Sequence, residues 1–317
     1  MTPFPPVARR GPLPPTTAVA VRDLAGRAAA VDGVAPLSEQ PLLRLAVDGD
    51  GDGDGDTIHL LVTDAGDPEA LAGYAQLDLG AHGSAGLELV VDPSARRHGW
   101  GRALLDAART IAAADGSADP DGRRFSVWAH GALPAARALA ASAGLGVVRD
   151  LWLMGLDLTR WPTDDPTPPP RGIVVRAFVP GRDEDEWRRA NARSFAHHPE
   201  QGRITRQDLE ARMAEPWFDP AGFLLAERGA VLLGSVWTKV HPADGAQPAA
   251  GEIYVIGVDP DAQGLGLGGA LLREGLDHLA RRGLRRAILY CDADNEVAIR
   301  AYTRVGFVRA GIDVQFG

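Results

Sequence analysis

The chain repeats itself. Residues 91–105 read VDPSARRHGWGRALL and residues 258–272 read VDPDAQGLGLGGALL. Nine of these fifteen positions are identical without a gap, and the two stretches lie 167 residues apart in a chain of 317. A period of half the chain is too long for a solenoid unit and fits one domain duplicated in tandem. The length agrees, because it leaves room for two domains that each bury a core.

The flanks of the two motifs match as well. A strand-like stretch precedes each, LELVV (87–91) and EIYVIGV (252–258). After each, apolar residues recur at helical spacing: Ala103, Leu104, Ala107, Ala108 and Ile111 in the first copy, Leu271, Leu272, Leu276 and Leu279 in the second. A short strand follows, RFSVW (124–128) and RAILY (286–290), then a helix stopped by Gly144 or Gly306. The last strands, VVRDLWLMGL (147–156) and FVRAGIDVQF (307–316), are expected to close their own copies. The second copy opens with IVVRAF (173–178) and two helices, around Asp185–Phe195 and Arg206–Met213. Thr205 caps the latter, with Asp208 three residues on. Strands FLLAER and VLLGSVWTKV then meet at a turn through Arg228 and Gly229. The order β-α-α-β-β-β-α-β-α-β predicts an α/β (α+β) domain with a mixed sheet. The proline-rich segment 159–171 reads as a linker, which gives a loose tail over 1–15 and domains over 16–158 and 172–317.

Composition narrows the function. The net charge of −9 disfavours a nucleic-acid or anionic-membrane footprint and suits a cationic substrate. Cys291 is the one cysteine, so no internal disulfide forms and a reducing, cytoplasmic setting is expected. No run of 18 apolar residues appears, and the proline-rich N-terminus lacks a signal-peptide core. DGDGDGDGD (48–56) mimics the start of a calcium loop, but Leu61 stands where the bidentate Glu is required, so it reads as a solvated hairpin tip. His197, His198 and His241 show no metal spacing.

Gly264, Gly266 and Gly269 spell G-x-G-x-x-G between a strand and a helix, and Asp292 ends the next strand. A P-loop is excluded, since Gly268-Gly269-Ala270 supplies neither Lys nor hydroxyl. A dinucleotide fold is disfavoured: 48 residues after Gly269 are too few for a doubly wound sheet, and in the first copy the run from Gly99 has Leu104 at the third glycine position. Both copies share [QR]-x-x-G-x-G, with Gln263, Gly266 and Gly268 in one and Arg96, Gly99 and Gly101 in the other. Such a turn brings backbone N–H groups and a helix N-terminus to a pyrophosphate without a metal.

That loop and the element order resemble the GNAT acyltransferases over nearly all of both halves. The resemblance implies acetyl-CoA as co-substrate, no metal, and donor contacts at Ile256, Gly257, Val258, Gln263, Gly264, Leu265, Gly266, Leu267, Gly268 and Gly269. It extends them to Asn295, Glu296, Val297, Ala298, Ile299 and Arg300, and in the first copy to Leu89, Val90, Val91, Arg97, His98, Gly99, Trp100, Gly101 and Arg102. Acyl transfer to an amine needs a base for the ammonium proton and benefits from an acid for the departing thiolate. Glu252 stands before the loop as candidate base. Tyr302, seven residues after Asn295, resembles the family's thiolate-protonating acid. In the first copy Glu252, Tyr302 and Asn295 align with Ala85, Ala140 and Leu133. The first copy is therefore expected not to catalyse, with its binding of acetyl-CoA left open.

LSEQPLL (37–43), HPEQG (198–202), WTKVHP (237–242), GEIYVIGVDP (251–260) and LYCDADNEVAIRAY (289–302) are similar to one tandem branch of this family. That branch acetylates the cysteinyl amine of a cysteine–glucosamine–inositol pseudodisaccharide. The resemblance implies acceptor contacts at Glu39, Glu200, Lys239, Glu252 and Tyr290, with the acceptor lying between the domains; the residues leave the oligomeric state open, a monomer included. Since the loop fixes only the donor, a protein N-terminus, an aminoglycoside or a polyamine stays open as acceptor. So does a CoA-sensing scaffold without catalysis.

Overall fold

The computed structural model describes residues 5–45, 57–63, 70–80, 84–114, 124–162, 168–196, 201–243 and 248–317. The acidic repeat 48–56 and Glu200, His197 and His198 lie outside these. The first copy comprises β1 (Val7–Arg10), α1 (Pro15–Asp32), α2 (Glu39–Leu43), β2 (Thr57–Thr63), β3 (Leu71–Gly80), β4 (Ser84–Val91), α3 (Trp100–Ala114), β5 (Arg124–Ala129), α4 (Pro134–Ser142) and β6 (Val147–Asp157). The second comprises β7 (Val174–Ala177), α5 (Glu184–Ser194), α6 (Arg206–Met213), β8 (Phe223–Arg228), β9 (Val231–His241), β10 (Ala250–Val258), α7 (Leu267–Arg281), β11 (Arg286–Asp292), α8 (Glu296–Val305) and β12 (Val308–Phe316). Both follow the expected β-α-α-β-β-β-α-β-α-β order. No described helix is long and apolar enough to cross a membrane.

Two expectations are corrected. The supposed loose tail contains β1, which pairs antiparallel with β2 from Val7↔Leu61 to Arg10↔Ile58. Its four side chains are exposed, so composition carries no strand signal, and the backbone groups at the edge of β2 make the strand. The repeat does carry a signal: an offset of 167 lays Val7 on Val174, the first residue of β7. The second correction concerns the last strands. The compact units are Met1–Leu151 with Gly311–Gly317, and Trp152–Ala310. In the first unit β12 pairs antiparallel with β5, Val314↔Ala129 to Phe316↔Val127, giving the order β1-β2-β3-β4-β5-β12. In the second, β6 neighbours β11, in the order β6-β11-β10-β9-β8-β7. Each copy's last strand thus pairs with the β5-equivalent strand of the other copy. The two strands are similar in length and apolar content, so neither side-chain pattern names its partner.

Local sequence accounts for the helices that carry the loops. In α3 the buried residues Leu104, Leu105, Ala108 and Ala112 form one stripe, and in α7 Leu271, Leu272, Leu276 and Leu279 do the same. A Cβ on Gly275 would lie 3.0 Å from both Ile253 Cδ1 and Val236 Cγ2, so glycine there sets how closely α7 seats on β9 and β10. Thr205 and Asp208 form the predicted capping box of α6. The opposite face of the second sheet holds an aromatic core of Phe178, Trp187, Phe223 and Trp237, all essentially buried. Trp237 stacks on Phe223 at 4.4 Å, and removing such a side chain costs about 3–5 kcal/mol.

Candidate active site

The glycine loop begins where the shared Val-Asp-Pro ends. Asp259 accepts from Asp261 N at 3.0 Å, as Asp92 accepts from Ser94 N at 2.9 Å, so the shared aspartate shapes the turn. A helix in each unit fastens it: Arg193 of α5 meets Asp259 at 2.8 Å and Arg27 of α1 meets Asp92 at 2.8 Å. Gly264 and Gly266 have φ of 79° and 77°, and Gly99 has 90°. Left-handed backbone is inexpensive for glycine and costs other residues roughly 1–2 kcal/mol. Arg97, the counterpart of Gly264, adopts φ 68° regardless. A Cβ on Gly269 would meet nothing within 4 Å, so the third glycine of the apparent dinucleotide motif has no packing role. Gln263, Gly264, Leu265 and Gly266 are exposed, Leu267 is buried, and α7 starts there with its first N–H groups uncommitted to helix bonds. In the first copy Arg96 stands for Gln263, and its guanidinium is held bidentate by Asp32 at 2.7 Å.

The strands leading to the loops part like a fork. Parallel pairing joins β10 to β11 at Gly251↔Ala287 and Glu252↔Ile288 and, among the described residues, nowhere beyond. Ile256, Gly257 and Val258 pair with β9 on one side only, which leaves their β11-facing backbone groups open. A register shift between Ile253 and Val255 bulges β10 just past the fork. In the first unit β4 stays paired to β5 from Ser84 through Leu87, its pairing with β3 is regular throughout, and Leu89, Val90 and Val91 follow the fork. Ala85 and Ala140, the counterparts of Glu252 and Tyr302, are buried.

Glu252 lies at the fork and is only 7 % exposed. Its Oε2 is 2.6 Å from His241 Nε2. Lys239 pairs directly opposite Glu252, so both side chains share one face of the sheet. The Lys239 ammonium sits 4.5 Å from the Trp217 ring centre and 5.2 Å from that of Tyr254, whose hydroxyl accepts from Arg212 Nε at 2.7 Å. Tyr302 lies on α8, edge-on to Phe307 at 6.0 Å. Burial, with a smaller contribution from nearby Cys291, pushes its hydroxyl well above the usual phenol range, so it stays protonated. Burial also pushes the Cys291 thiol up to about 11, and the carboxylates of Asp292 and Asp294 add to this. A thiol held protonated is a poor nucleophile, which favours transfer without an acyl-cysteine.

Other expected residues are more dispersed. Asn295 caps α8, accepting from Ala298 N at 3.1 Å, a structural use that the Asn–Tyr spacing did not reveal. Glu296, Val297 and Arg300 are exposed on α8, with Ala298 and Ile299 half-buried. Tyr290 on β11 is 44 % exposed. Glu39 begins α2 and belongs to the first unit, whereas Lys239, Glu252 and Tyr290 belong to the second. In the first copy Arg97, His98 and Arg102 are exposed, Arg102 pairing with Asp106 at 2.7 Å, while Trp100 and Gly101 are half-buried. His241 is recoverable from the sequence, since it follows Lys239 by two strand positions and so shares its face. Tyr254 follows Glu252 by two positions in the same way, whereas Trp217 had no such signal.

The first unit carries a polar chain that sequence reasoning missed. Ser38 donates to Glu88 through its backbone N–H and hydroxyl, both at 2.6 Å. His130 contacts Glu88 at 3.1 Å and Asp313 at 3.0 Å, and Gly131 N donates to Asp313 at 2.7 Å. Burial opposes charge on His130, but the two carboxylates outweigh it and carry its pKa up to about 10.

Against known proteins, the family model described as "Acetyltransferase (GNAT) family" matches residues 35–120 and 185–307. A protein of Cellulomonas flavigena named mycothiol acetyltransferase is 56 % identical over 315 residues, covering 97 % of this chain and 87 % of its own. One of that name from Sanguibacter keddieii is 54 % identical, covering 96 % and 94 %. Among solved structures, a GCN5-related N-acetyltransferase from Sphaerobacter thermophilus superposes with a TM-score of 0.64 at 25 % identity, covering 100 % of this chain and 96 % of its own. A tandem GNAT protein of the clavulanic acid pathway gives 0.67 at 19 % identity, covering 98 % of each, a likeness of fold.

Proposed function

Because the chain belongs to the GNAT acetyltransferase family, we propose that this acyltransferase moves acetyl from acetyl-CoA to the cysteinyl amine of desacetylmycothiol, closing mycothiol synthesis. The observation that carries the reading is the pairing, in one unit, of an open fork and loop with a buried carboxylate at the fork. The other unit has fork and loop but alanine in the carboxylate's place.

The pyrophosphate of acetyl-CoA binds the first turn of α7, and the pantetheine lies along the open edge of Ile256–Val258. A backbone N–H there steadies the thioester oxyanion. Glu252 takes one ammonium proton, and the freed amine attacks the carbonyl carbon, forming the C–N bond. As the C–S bond breaks, Tyr302 gives its proton to the sulfur and recovers one from the nitrogen. The net products are amide, CoA thiol and one proton. Apolar surroundings that hold the phenol protonated also raise the basicity of the departing thiolate, so the transfer stays feasible. Lys239 and Tyr290 contact the acceptor beside Glu252, whose carboxylate suits a cationic amine.

The test offers purified protein acetyl-CoA with desacetylmycothiol, an N-terminal peptide or an aminoglycoside, and measures released CoA. Turnover with desacetylmycothiol well above the others is expected; equal or greater turnover of another amine would replace the acceptor. Glu252→Gln should abolish the acidic limb of the pH–rate profile, and an unchanged profile removes Glu252 as base.

A further inference from the structure

The mechanism above leaves one close partner of Glu252 unused. His241, the last residue of β9, brings Nε2 to 2.6 Å from Glu252 Oε2. The two side chains differ in exposure, 39 % for His241 and 9 % for Glu252. The β9–β10 register fixes this contact, because it sets Glu252 opposite Lys239 and Ala250 opposite His241. A buried carboxylate with one oxygen held by a donor has a defined orientation, and its second oxygen keeps all its lone pairs for a new proton.

We infer that His241 is the positioning residue of the base. Its Nε2–H donates to Glu252 Oε2, fixes the carboxylate, and leaves Oε1 to take the ammonium proton. A donor to the anion also stabilises the charged form that a base requires. The titratable groups that face Glu252 across the strand pair are His241 and Lys239, whereas β11 sets Ile288 opposite it, with Arg286 and Tyr290 two residues to either side on the same face. Lys239 is held over the Trp217 and Tyr254 rings, so His241 supplies the directed hydrogen bond. The inference rests on Glu252 being the base.

The experiment compares wild type, His241→Leu, His241→Gln, Glu252→Gln and the double variant His241→Leu/Glu252→Gln. It measures kcat, both KM values and the pH dependence of kcat/KM. His241→Leu should lower kcat about 10- to 100-fold, the range of a lost hydrogen bond to a charge, with the KM for acetyl-CoA unchanged. His241→Gln keeps an N–H at that place and should restore most of the rate, which separates positioning from misfolding. In the Glu252→Gln background His241→Leu should add little. An undiminished kcat in His241→Leu, or an undiminished effect in the double variant, overturns the inference. Greater loss from His241→Leu than from Glu252→Gln, without rescue by Gln, would make the imidazole the base and Glu252 its orienter. An unchanged profile in Glu252→Gln alone would fail the underlying reading of the base, a result distinct from either.

Discussion

Two forks in one chain differ by two residues and a bulge. In the second unit β10 leaves β11 at Glu252, and the bulge at Ile253–Val255 follows at once. In the first, β4 stays with β5 through Leu87 without irregularity. The next residue, Glu88, is spoken for by Ser38 and His130. Both units therefore keep the left-handed glycine turn, while the carboxylate at the first fork is tied to Ser38 and His130 and the one at the second lies opposite Lys239. Duplication preserved what backbone geometry supplies and let side-chain chemistry diverge.

The comparison breaks first at catalysis. Tyr302→Phe should lower kcat by roughly 10²–10⁴ with little change in acetyl-CoA KM. Grafting Ala85→Glu and Ala140→Tyr into a Glu252→Gln chain should restore nothing, because the first fork opens later and has no bulge. Recovered activity would mean that residue identity alone separates the units. His130→Leu comes next: it strands Glu88 and Asp313 without their cation and should cost the first unit about 3–5 kcal/mol. Hydrogen exchange of β4 and β5 amides reads this locally. The folded pKa of about 10 exceeds the free imidazole value near 6.5, so this stability is full below about pH 6.5 and drains as pH rises towards 10. Exchange protection should fall over that window in the wild type and stay flat in the variant.

The smaller effects sharpen the loop. Gly266→Ala forces alanine to φ 77°, and a strain of roughly 1–2 kcal/mol should raise the acetyl-CoA KM about 5- to 30-fold. Gly269→Ala enters open space inside a helix and should leave KM unchanged while stabilising α7 by up to about 1 kcal/mol. A KM increase above tenfold for Gly269→Ala would revive the third glycine as a ligand contact.

Much of this was readable beforehand. The capping box at Thr205, the glycine stops at Gly144 and Gly306, and the stripes of α3 and α7 depend on residues within one or two turns of each other. Glu252 was visible as a lone carboxylate before the loop, and His241 as a residue on the face of Lys239, but their contact was not, because it arises only through strand pairing. The Ser38–Glu88–His130–Asp313 chain was hidden for the same reason, since Asp313 lies 183 residues from His130.

The sequence by itself determined that there are two copies, the order of elements in each, and the loop that suits a pyrophosphate. Those are properties of periodicity and of backbone conformation at single glycines. Tertiary structure alone decided that β12 pairs with β5 and β6 with β11, where the forks open, and that His241 meets Glu252. Backbone hydrogen bonds between strands are nearly blind to side-chain identity, so partners distant in the chain are chosen only when the whole sheet assembles.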